Sequence, residues 1–200
     1  MTDLVTMILA VIGCYLIGNI SPAIMLGKLI ARTDIRKHGS GNAGTTNVLR
    51  TLGPKAAIIT LLVDIFKGVA AVLIGRYFGG QDLAMLCGLA VFIGHIWPAL
   101  YGFRGGKGIA TAAGVIISVE PLLGGIVAGI ALLTIALTRR VSVGALLAAA
   151  VMPFVANYFD PKYLSWAIII SLIIVLKHRA NIKRLLAGQE PKLSFKKKVD

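Results

Sequence analysis

Long apolar segments constrain this chain more than any other feature of its sequence. A helix needs about 20 predominantly apolar residues to cross a bilayer, and hydrophobic residues make up 57% of the 200 residues here. The candidate segments are Leu4–Ile30, Ala56–Phe78, Leu83–Tyr101, Ile109–Ser118, Pro121–Leu137, Val143–Tyr158 and Tyr163–Leu176. The sequence therefore predicts an all-α, polytopic integral membrane bundle of about seven transmembrane helices, the fourth too short to cross unaided.

The distribution of basic residues predicts how this bundle is oriented. If all the segments cross and the N-terminus lies outside, the inward-facing parts are residues 31–55, 101–108, 138–142 and 177–200, which hold 17 of the 21 Lys and Arg residues. Cytoplasmic loops of membrane proteins carry such an excess. We therefore expect an outside N-terminus, a cytoplasmic C-terminus and a multi-pass membrane protein.

Composition also limits the domain organisation and the partners. The formal charge of +13 lies mainly in loops that flank apolar segments, so it does not indicate nucleic-acid binding. Cys14 and Cys87 form no metal-binding or redox motif. We expect a single membrane domain over residues 1–200, with 191–200 as a basic tail, membrane lipid around it, no obligatory protein partner, no metal and no cofactor.

Three polar stretches fall together on the predicted cytoplasmic side. The first, residues 37–54, reads KHGSGNAGTTNVLRTLGP and is unusually rich in Gly, Ser, Asn and Thr for a connection between two spanning helices. In a short helix Asn47 and Arg50 would share a face, being three residues apart. Ser40, Asn42 and Thr46 supply further polar groups. An ordinary glycine-rich turn is the alternative interpretation.

The second polar stretch, residues 101–111, has the character of an anion site. Gly105, Gly106 and Gly108 are expected to expose backbone N–H groups, and the helix that follows points its positive N-terminal end at the loop. Arg104 and Lys107 add full charges. We expect these residues to bind phosphate, although anchoring of a helix end at the membrane surface would also explain the two cations.

That loop does not match the nucleotide-binding P-loop motif. The motif requires Gly where this chain has Tyr101, and Ser or Thr where it has Gly108. ATP or GTP hydrolysis is therefore disfavoured.

The third polar stretch, residues 177–193, follows the last apolar segment. His178 and Asn181 are three residues apart and would share a helix face. Glu190 is one of few acidic residues on this side and is expected to brace a basic group structurally. A histidine at a membrane boundary is also commonly a polar anchor, so the pattern leaves its role open.

Two charged residues lie inside the second apolar segment. Asp64 and Lys67 are three residues apart, and charges at such depth are costly unless they meet a partner or a polar cavity. We expect a structural ion pair that ties this helix to its neighbours. A proton or ion pathway is the alternative. Asn19 and His95 are expected to add interhelical hydrogen bonds or to line an acyl-chain groove.

Three of these segments together resemble a known family. SGNAGTTNVLRTLG, GHIWPALYGFRGGKGIATAAG and HRANIKRLLAGQE are similar, in the same order, to the signature stretches of the bacterial membrane glycerol-3-phosphate acyltransferases that use acyl phosphate. The resemblance implies acyl transfer from acyl phosphate to the 1-hydroxyl of sn-glycerol 3-phosphate. It also implies a place in the bacterial inner membrane and functional roles for a set of residues, namely Ser40, Arg50, the glycines of the second stretch, Lys107, His178 and Asn181. We expect Asn42, Thr46, Asn47 and Arg50 to help bind substrate phosphate.

Other classes fit the sequence less well. A transporter for an anionic solute is the main alternative, but it predicts polar groups along a route through the bundle rather than on one face. The soluble or peripheral acyl-CoA-dependent acyltransferases use a His-x-x-x-x-Asp pair, and no such pair follows His38, His95 or His178. A metal-dependent phosphatidyl transferase needs more carboxylates than these stretches supply.

Overall fold

The computed structural model describes residues 3–193, which form α-helices and short 3-10 turns and no β-strand. They fall into two compact units, residues 3–119 and Glu120–Leu193. The helices of the first unit are α1 (Leu4–Asn19), α2 (Pro22–Ala31), α3 (Thr45–Thr51), α4 (Pro54–Ile96) and α5 (Ile109–Val119). Those of the second are α6 (Pro121–Thr138), α7 (Val141–Phe159), α8 (Leu164–Lys177) and α9 (Arg179–Leu186).

The first apolar segment is broken rather than continuous. Helix α1 ends at Asn19, Ile20 and Ser21 are extended, and α2 begins at Pro22. Proline has no backbone N–H and restricts the residue before it to extended conformations, so a helix cannot continue through this point. The prediction of one helix over Leu4–Ile30 is corrected to two helices that meet at a polar break.

Helix α4 folds back on itself. Gly79 and Gly80 have non-helical backbone angles, and Gly80 has a φ of +67° that glycine adopts readily. On either side of this break the two halves approach closely, since a Cβ atom on Gly75 would collide with the backbone of Ala84. The second and third predicted segments are therefore the two arms of one helical hairpin.

Glycine contacts bring the other helices of the first unit close to this hairpin. A Cβ on Gly94 would collide with the backbone of Tyr15 and Gly18 in α1. A Cβ on Gly114 of α5 would collide with the backbone of Ile65 in α4. Small residues at helix contacts are typical of membrane bundles, because apolar side chains gain little by leaving lipid for protein and close packing must supply the attraction.

The second unit contains a helix pair and a bent segment. Helices α6 and α7 are joined through Arg139, which has a left-handed φ of +56°, and Gly144 packs against Ala131 and Ile135 of α6. The segment Pro161–Lys177 and helix α9 meet at an angle of 59°. His178 lies at that bend as the last residue before α9.

The described residues confirm the all-α prediction, and several helices have the length and apolar composition of membrane spans. Four helical stretches among the described residues are long and apolar enough to cross a bilayer, namely Leu4–Ala31, Pro54–Tyr101, Pro121–Thr138 and Val141–Phe159. A fifth exists if Pro161–Lys177 and Arg179–Leu186 form one bent span. Helix α5 is shorter, as expected. The count of seven crossings, the orientation and the single domain stay predictions, and most of the basic tail, residues 194–200, lies outside the described residues.

Candidate active site

The glycine-rich loop is bound tightly to the end of helix α4. The N–H of Gly105 donates to the carbonyl of Ile96 at 3.2 Å, and the N–H of Gly106 donates to that of His95 at 3.1 Å. A Cβ on Gly106 would collide with the His95 ring and approach the carbonyl oxygen of Ala43. Glycine is required here because the loop backbone lies directly on His95.

These hydrogen bonds correct one expectation about phosphate binding. The backbone N–H groups of Gly105 and Gly106 already have carbonyl partners, so they are not available to an anion. Gly108 has a φ of +81° and lies against the ring of Phe92, so packing requires glycine there too. Arg104, which is exposed, and Lys107, which is half-buried, remain as cationic groups.

The start of helix α5 adds N–H groups to the same loop. The first intrahelical bond runs from the N–H of Ala112 to the carbonyl of Gly108 at 2.7 Å. The N–H groups of the first helical turn have no partner within their own helix, and the helix dipole makes this end attractive to anions. The anion-binding capacity of the loop therefore lies in its two cations and this helix start.

Two side chains of α1 fix the turn that leads into the loop. The Tyr15 hydroxyl donates to the carbonyl of Trp97 at 2.8 Å and accepts from the N–H of Ala99 at 3.2 Å. The buried Asn19 accepts from the N–H of Leu100 at 3.1 Å. The hydrogen bond expected of Asn19 thus joins α1 to the 3-10 turn Ala99–Tyr101 rather than to another α-helix, and Tyr15 was not singled out from the sequence.

Asn47 organises the first polar stretch from within. Its side-chain oxygen accepts from the N–H of Ser40 at 2.8 Å, and its amide nitrogen donates to the carbonyls of Ile35 and His38 at 3.1 and 3.0 Å. Both amide hydrogens are thereby used, and the side chain is 1% exposed. Asn47 thus shapes the loop that presents the exposed Ser40, and it offers no remaining donor for phosphate.

The first and second polar stretches are in contact within the first unit. Gly106 approaches Ala43 of the first stretch. Arg36, which directly precedes that stretch, donates from its guanidinium to the carbonyls of Tyr101 and Arg104 at 2.7 and 3.0 Å. Sequence reasoning missed Arg36. The signal available was the Asp34-x-Arg36 spacing, since a nearby carboxylate is what a structural arginine needs.

The remaining predicted residues of these stretches have intermediate exposure. Asn42, Thr46 and Arg50 are half-buried, with Thr46 and Arg50 on α3. The expected short helix that carries Asn47 and Arg50 is present.

A buried ionic cluster lies beneath the loop. The Lys67 ammonium is 2.7 Å from the Asp64 carboxylate, as the sequence predicted, and it also contacts the ring nitrogen Nδ1 of His95 at 2.8 Å and the carbonyl of Ile20 at 2.8 Å. Asp64 and His95 are 3.2 Å apart. Because Ile20 lies in the break between α1 and α2, its carbonyl is available to the ammonium. The cluster joins α4 to α1 and supports His95 under Gly106.

The third polar stretch belongs to the second unit. His178 is 3% exposed, and its Nδ1 lies 2.8 Å from the carbonyl oxygen of Ile174. A carbonyl only accepts hydrogen bonds, so Nδ1 is the donor in this contact. Asn181 is 6% exposed and donates to Glu190 at 2.6 Å. Both side chains are therefore buried and held by hydrogen bonds.

Glu190 connects Asn181 with two other side chains of the second unit. Its carboxylate accepts from Ser142, Asn181 and Arg184 at 2.7, 2.6 and 2.7 Å. Burial by itself would raise the pKa of Glu190, but these three hydrogen bonds and the charge of Arg184 outweigh it and hold the pKa below its ordinary value. The carboxylate therefore stays ionised and orients Asn181 from one side.

Among residues 3–193, no group of three or more His, Cys, Asp and Glu side chains has the arrangement of a metal site.

These features define a class of protein: an integral membrane helical protein with a cationic, glycine-rich loop fastened to a Ser- and Asn-bearing loop. A family model described as glycerol-3-phosphate acyltransferase matches residues 8–188. The chain belongs to this glycerol-3-phosphate acyltransferase family.

Individual relatives and solved structures agree with that assignment. The chain is 44% identical to a glycerol-3-phosphate acyltransferase of Alkaliphilus metalliredigens over 96% of this chain and 98% of the relative. It is 46% identical to one from Thermoanaerobacter pseudethanolicus with the same coverage. Its fold is similar to the crystal structure of PlsY (YgiH), an integral membrane glycerol 3-phosphate acyltransferase, in the glycerol 3-phosphate form. That similarity has a TM-score of 0.89 and 35% identity, over 94% of this chain and 96% of the other. The lysophosphatidic acid form of PlsY gives a TM-score of 0.85.

Proposed function

We propose that this protein transfers a fatty acyl group from acyl phosphate to the 1-hydroxyl of sn-glycerol 3-phosphate, giving lysophosphatidate and inorganic phosphate. This is the first step of bacterial phospholipid synthesis. The observation that carries the proposal is the contact between the Arg104- and Lys107-bearing loop and the Ser40-bearing loop. Both substrates carry phosphate, and the similar PlsY has been crystallised in forms with glycerol 3-phosphate and lysophosphatidic acid.

The reaction requires positioning of the two substrates more than it requires covalent catalysis. Acyl phosphate is an activated mixed anhydride, so the acceptor hydroxyl attacks the acyl carbonyl, the bond between that carbon and the phosphate oxygen breaks, and phosphate leaves. Catalysis then requires orientation of the two substrates and stabilisation of the charge that develops on the carbonyl and on phosphate. In this proposal Lys107, Arg104 and the start of α5 hold phosphate, and Arg50 and Ser40 place the other substrate. Asn181 has the catalytic role that the family resemblance implies.

The proton of the attacking hydroxyl has to be accepted by a base. His178 is our proposed base, because the bond from Nδ1 to the carbonyl of Ile174 fixes the orientation of the ring and a neutral imidazole accepts a proton readily near pH 7. A phosphate group of a substrate is the alternative acceptor. Its oxygens can take the proton from the hydroxyl while the hydroxyl oxygen forms its bond to the acyl carbon. Substitution of His178 separates these two routes.

The fold-back of α4 supports our proposal of seven crossings. The 48-residue apolar stretch Pro54–Tyr101 turns at Gly79 and Gly80, so it supplies two crossings that begin and end at the same face. Helices α1 and α5, together with α6, α7 and α8, supply the others. With the N-terminus outside, the two polar loops of the first unit face the cytoplasm, where we place the site of reaction at the inner membrane.

A donor comparison tests the proposed function directly. Purified protein in detergent is incubated with glycerol 3-phosphate and either acyl phosphate or acyl-CoA, and lysophosphatidate is measured. We expect product with acyl phosphate only, and the same rate in excess EDTA. Product with acyl-CoA alone would refute the donor assignment, product with neither donor would refute the reaction, and loss of activity in EDTA would refute the expectation that no metal is needed.

A further inference from the structure

Arg36 connects the two polar loops of the first unit through both ends of its guanidinium. It lies in the 3-10 turn Ile35–Lys37 that follows α2, and its side chain is 22% exposed. Nη1 donates to the carbonyls of Tyr101 and Arg104 at 2.7 and 3.0 Å. Nε and Nη2 donate to the two carboxylate oxygens of Asp34 at distances from 2.7 to 3.1 Å.

These contacts leave Arg36 little capacity to bind a substrate. A guanidinium has five N–H groups in a fixed fork. In Arg36 both hydrogens of Nη1 are donated to carbonyls. The hydrogen of Nε and one hydrogen of Nη2 are donated to Asp34. The side-chain hydrogen bonds with Arg36 hold the pKa of Asp34 at about 2, so the carboxylate remains charged and opposes the charge of Arg36. Arg36 is therefore a structural support between the two loops rather than a phosphate ligand, and we call this support the brace.

The brace controls the orientation of one particular peptide group. The carbonyl of Arg104 accepts from Arg36, and the N–H on the other side of the same planar peptide, that of Gly105, donates to Ile96 at 3.2 Å. With both ends bonded, this peptide cannot rotate. Arg104 precedes it directly and Lys107 follows two residues later, so the starting direction of both cationic side chains depends on it.

The backbone before this peptide increases the need for an external support. Gly102 and Phe103 both have positive φ, of +65° and +59°, and for a bulky residue such as Phe103 the left-handed conformation is unfavourable. The hydrogen bond from Arg36 to Tyr101 lies at the start of this turn and the one to Arg104 at its end. Arg36 thus spans the strained turn.

We propose that Arg36, oriented by Asp34, is a positioning residue that holds the 101–108 loop in the conformation that binds the phosphate of glycerol 3-phosphate. The inference rests on the proposed function of that loop. It assigns to Arg36 an effect on substrate affinity that it exerts through the loop backbone and not by touching the substrate.

The experiment compares Arg36→Gln, Arg36→Lys and Asp34→Asn with Lys37→Gln, which removes the same charge from the neighbouring exposed residue. The first measurement is hydrogen exchange of the amides in residues 97–108, in detergent. The second is binding of glycerol 3-phosphate by calorimetry, together with KM and kcat in the acyl-transfer assay. Thermal unfolding of each variant is recorded in parallel.

For Arg36→Gln we expect faster exchange in residues 97–108 and an increase of about tenfold or more in Kd and KM for glycerol 3-phosphate, as the loss of charge-assisted hydrogen bonds implies. We expect a much smaller change in kcat. Arg36→Lys should not restore affinity, because an ammonium cannot reproduce the fork. Asp34→Asn should raise Kd less, and Lys37→Gln should change it by less than about twofold, as for an isolated surface charge.

The proposal is overturned if Arg36→Lys behaves like wild type, if Lys37→Gln equals Arg36→Gln, or if loop exchange is unchanged. Should Arg36→Gln fail to fold, Asp34→Asn decides by the same measurements, because it keeps the arginine in place. Wild-type protein that binds glycerol 3-phosphate but makes no product refutes the proposed reaction and leaves the binding comparison valid. Wild-type protein that does not bind it refutes the proposed function, and the exchange data alone then decide whether Arg36 holds the loop.

Discussion

Replacement of Lys67 by Met should destabilise the protein strongly, and a second replacement should reverse part of the loss. Lys67 is the cation that neutralises Asp64, which is 1% exposed. Methionine fills a similar volume but leaves the carboxylate with His95 as its remaining partner in the cluster, at 3.2 Å. Removal of one member of a buried ion pair leaves an uncompensated charge, which is the costliest outcome for such a site.

The magnitude follows from the contacts that each variant loses. An uncompensated buried charge costs about 3–5 kcal/mol, and we expect this loss of unfolding free energy for Lys67→Met. The double variant Lys67→Met, Asp64→Asn carries no unpaired charge and loses mainly the ammonium contacts with the carbonyl of Ile20 and with Nδ1 of His95, both at 2.8 Å. Two hydrogen bonds of this kind together contribute about 1–2 kcal/mol. The double variant should therefore be more stable than Lys67→Met by roughly 2 kcal/mol.

Unfolding in detergent, followed by circular dichroism, measures these differences. Lys28→Met serves as the matched control, because Lys28 is exposed on α2 and its replacement should change stability by less than about 0.5 kcal/mol. A double variant less stable than Lys67→Met alone, or a loss below about 1 kcal/mol in Lys67→Met, would refute the argument from charge burial.

Three further predictions concern packing, pH and the base. Gly94→Ala should lower the free energy of unfolding in detergent by about 1–3 kcal/mol, because its Cβ would collide with the backbone of Tyr15. Gly13 has open space around it, so Gly13→Ala should be neutral or stabilising. Equal effects of the two substitutions would contradict the close approach. Folding lowers the pKa of Glu190, so its ionised form stabilises the fold above the unfolded pKa of about 4.3, and this contribution is lost as the pH falls through the folded pKa. Unfolding measured from pH 7 to pH 3 should therefore show a smaller acid-side loss in Glu190→Gln, and identical curves would exclude the effect. His178→Asn should lower kcat by about 10²- to 10⁴-fold with little change in KM, and full turnover at every pH would remove His178 as the base.

Helix composition and the buried ion pair were accessible from sequence because they depend on local spacing. Apolar run length predicts spanning helices directly, and Asp64 and Lys67 are neighbours on one helix face whatever the rest of the fold does. The short α5 and the helix that carries Asn47 and Arg50 followed from the same kind of rule. The break before Pro22 was also visible in principle, since Ser-Pro marks a helix start, but the continuous apolar composition concealed it.

The details of the loop were not accessible, because they depend on contacts between distant residues. Nothing local indicates that the N–H groups of Gly105 and Gly106 would be used by the end of α4 rather than left for an anion. Arg36 and Tyr15 bond to carbonyls that lie 65 to 82 residues further along the chain. Local periodicity carries no information about such pairings, so glycine content indicated a special loop without indicating what the glycines contact.

The anchoring of the glycine-rich turn has a consequence for biosynthesis. Residues 97–104 are held by Tyr15, Asn19 and Arg36. All three precede that turn in the chain. Synthesis proceeds from the N-terminus, so the groups that receive the turn are already in the membrane when the ribosome completes it. The turn can dock as soon as it emerges, without waiting for the second unit. A nascent chain truncated after residue 119 should already protect the amides of Gly105 and Gly106 from exchange.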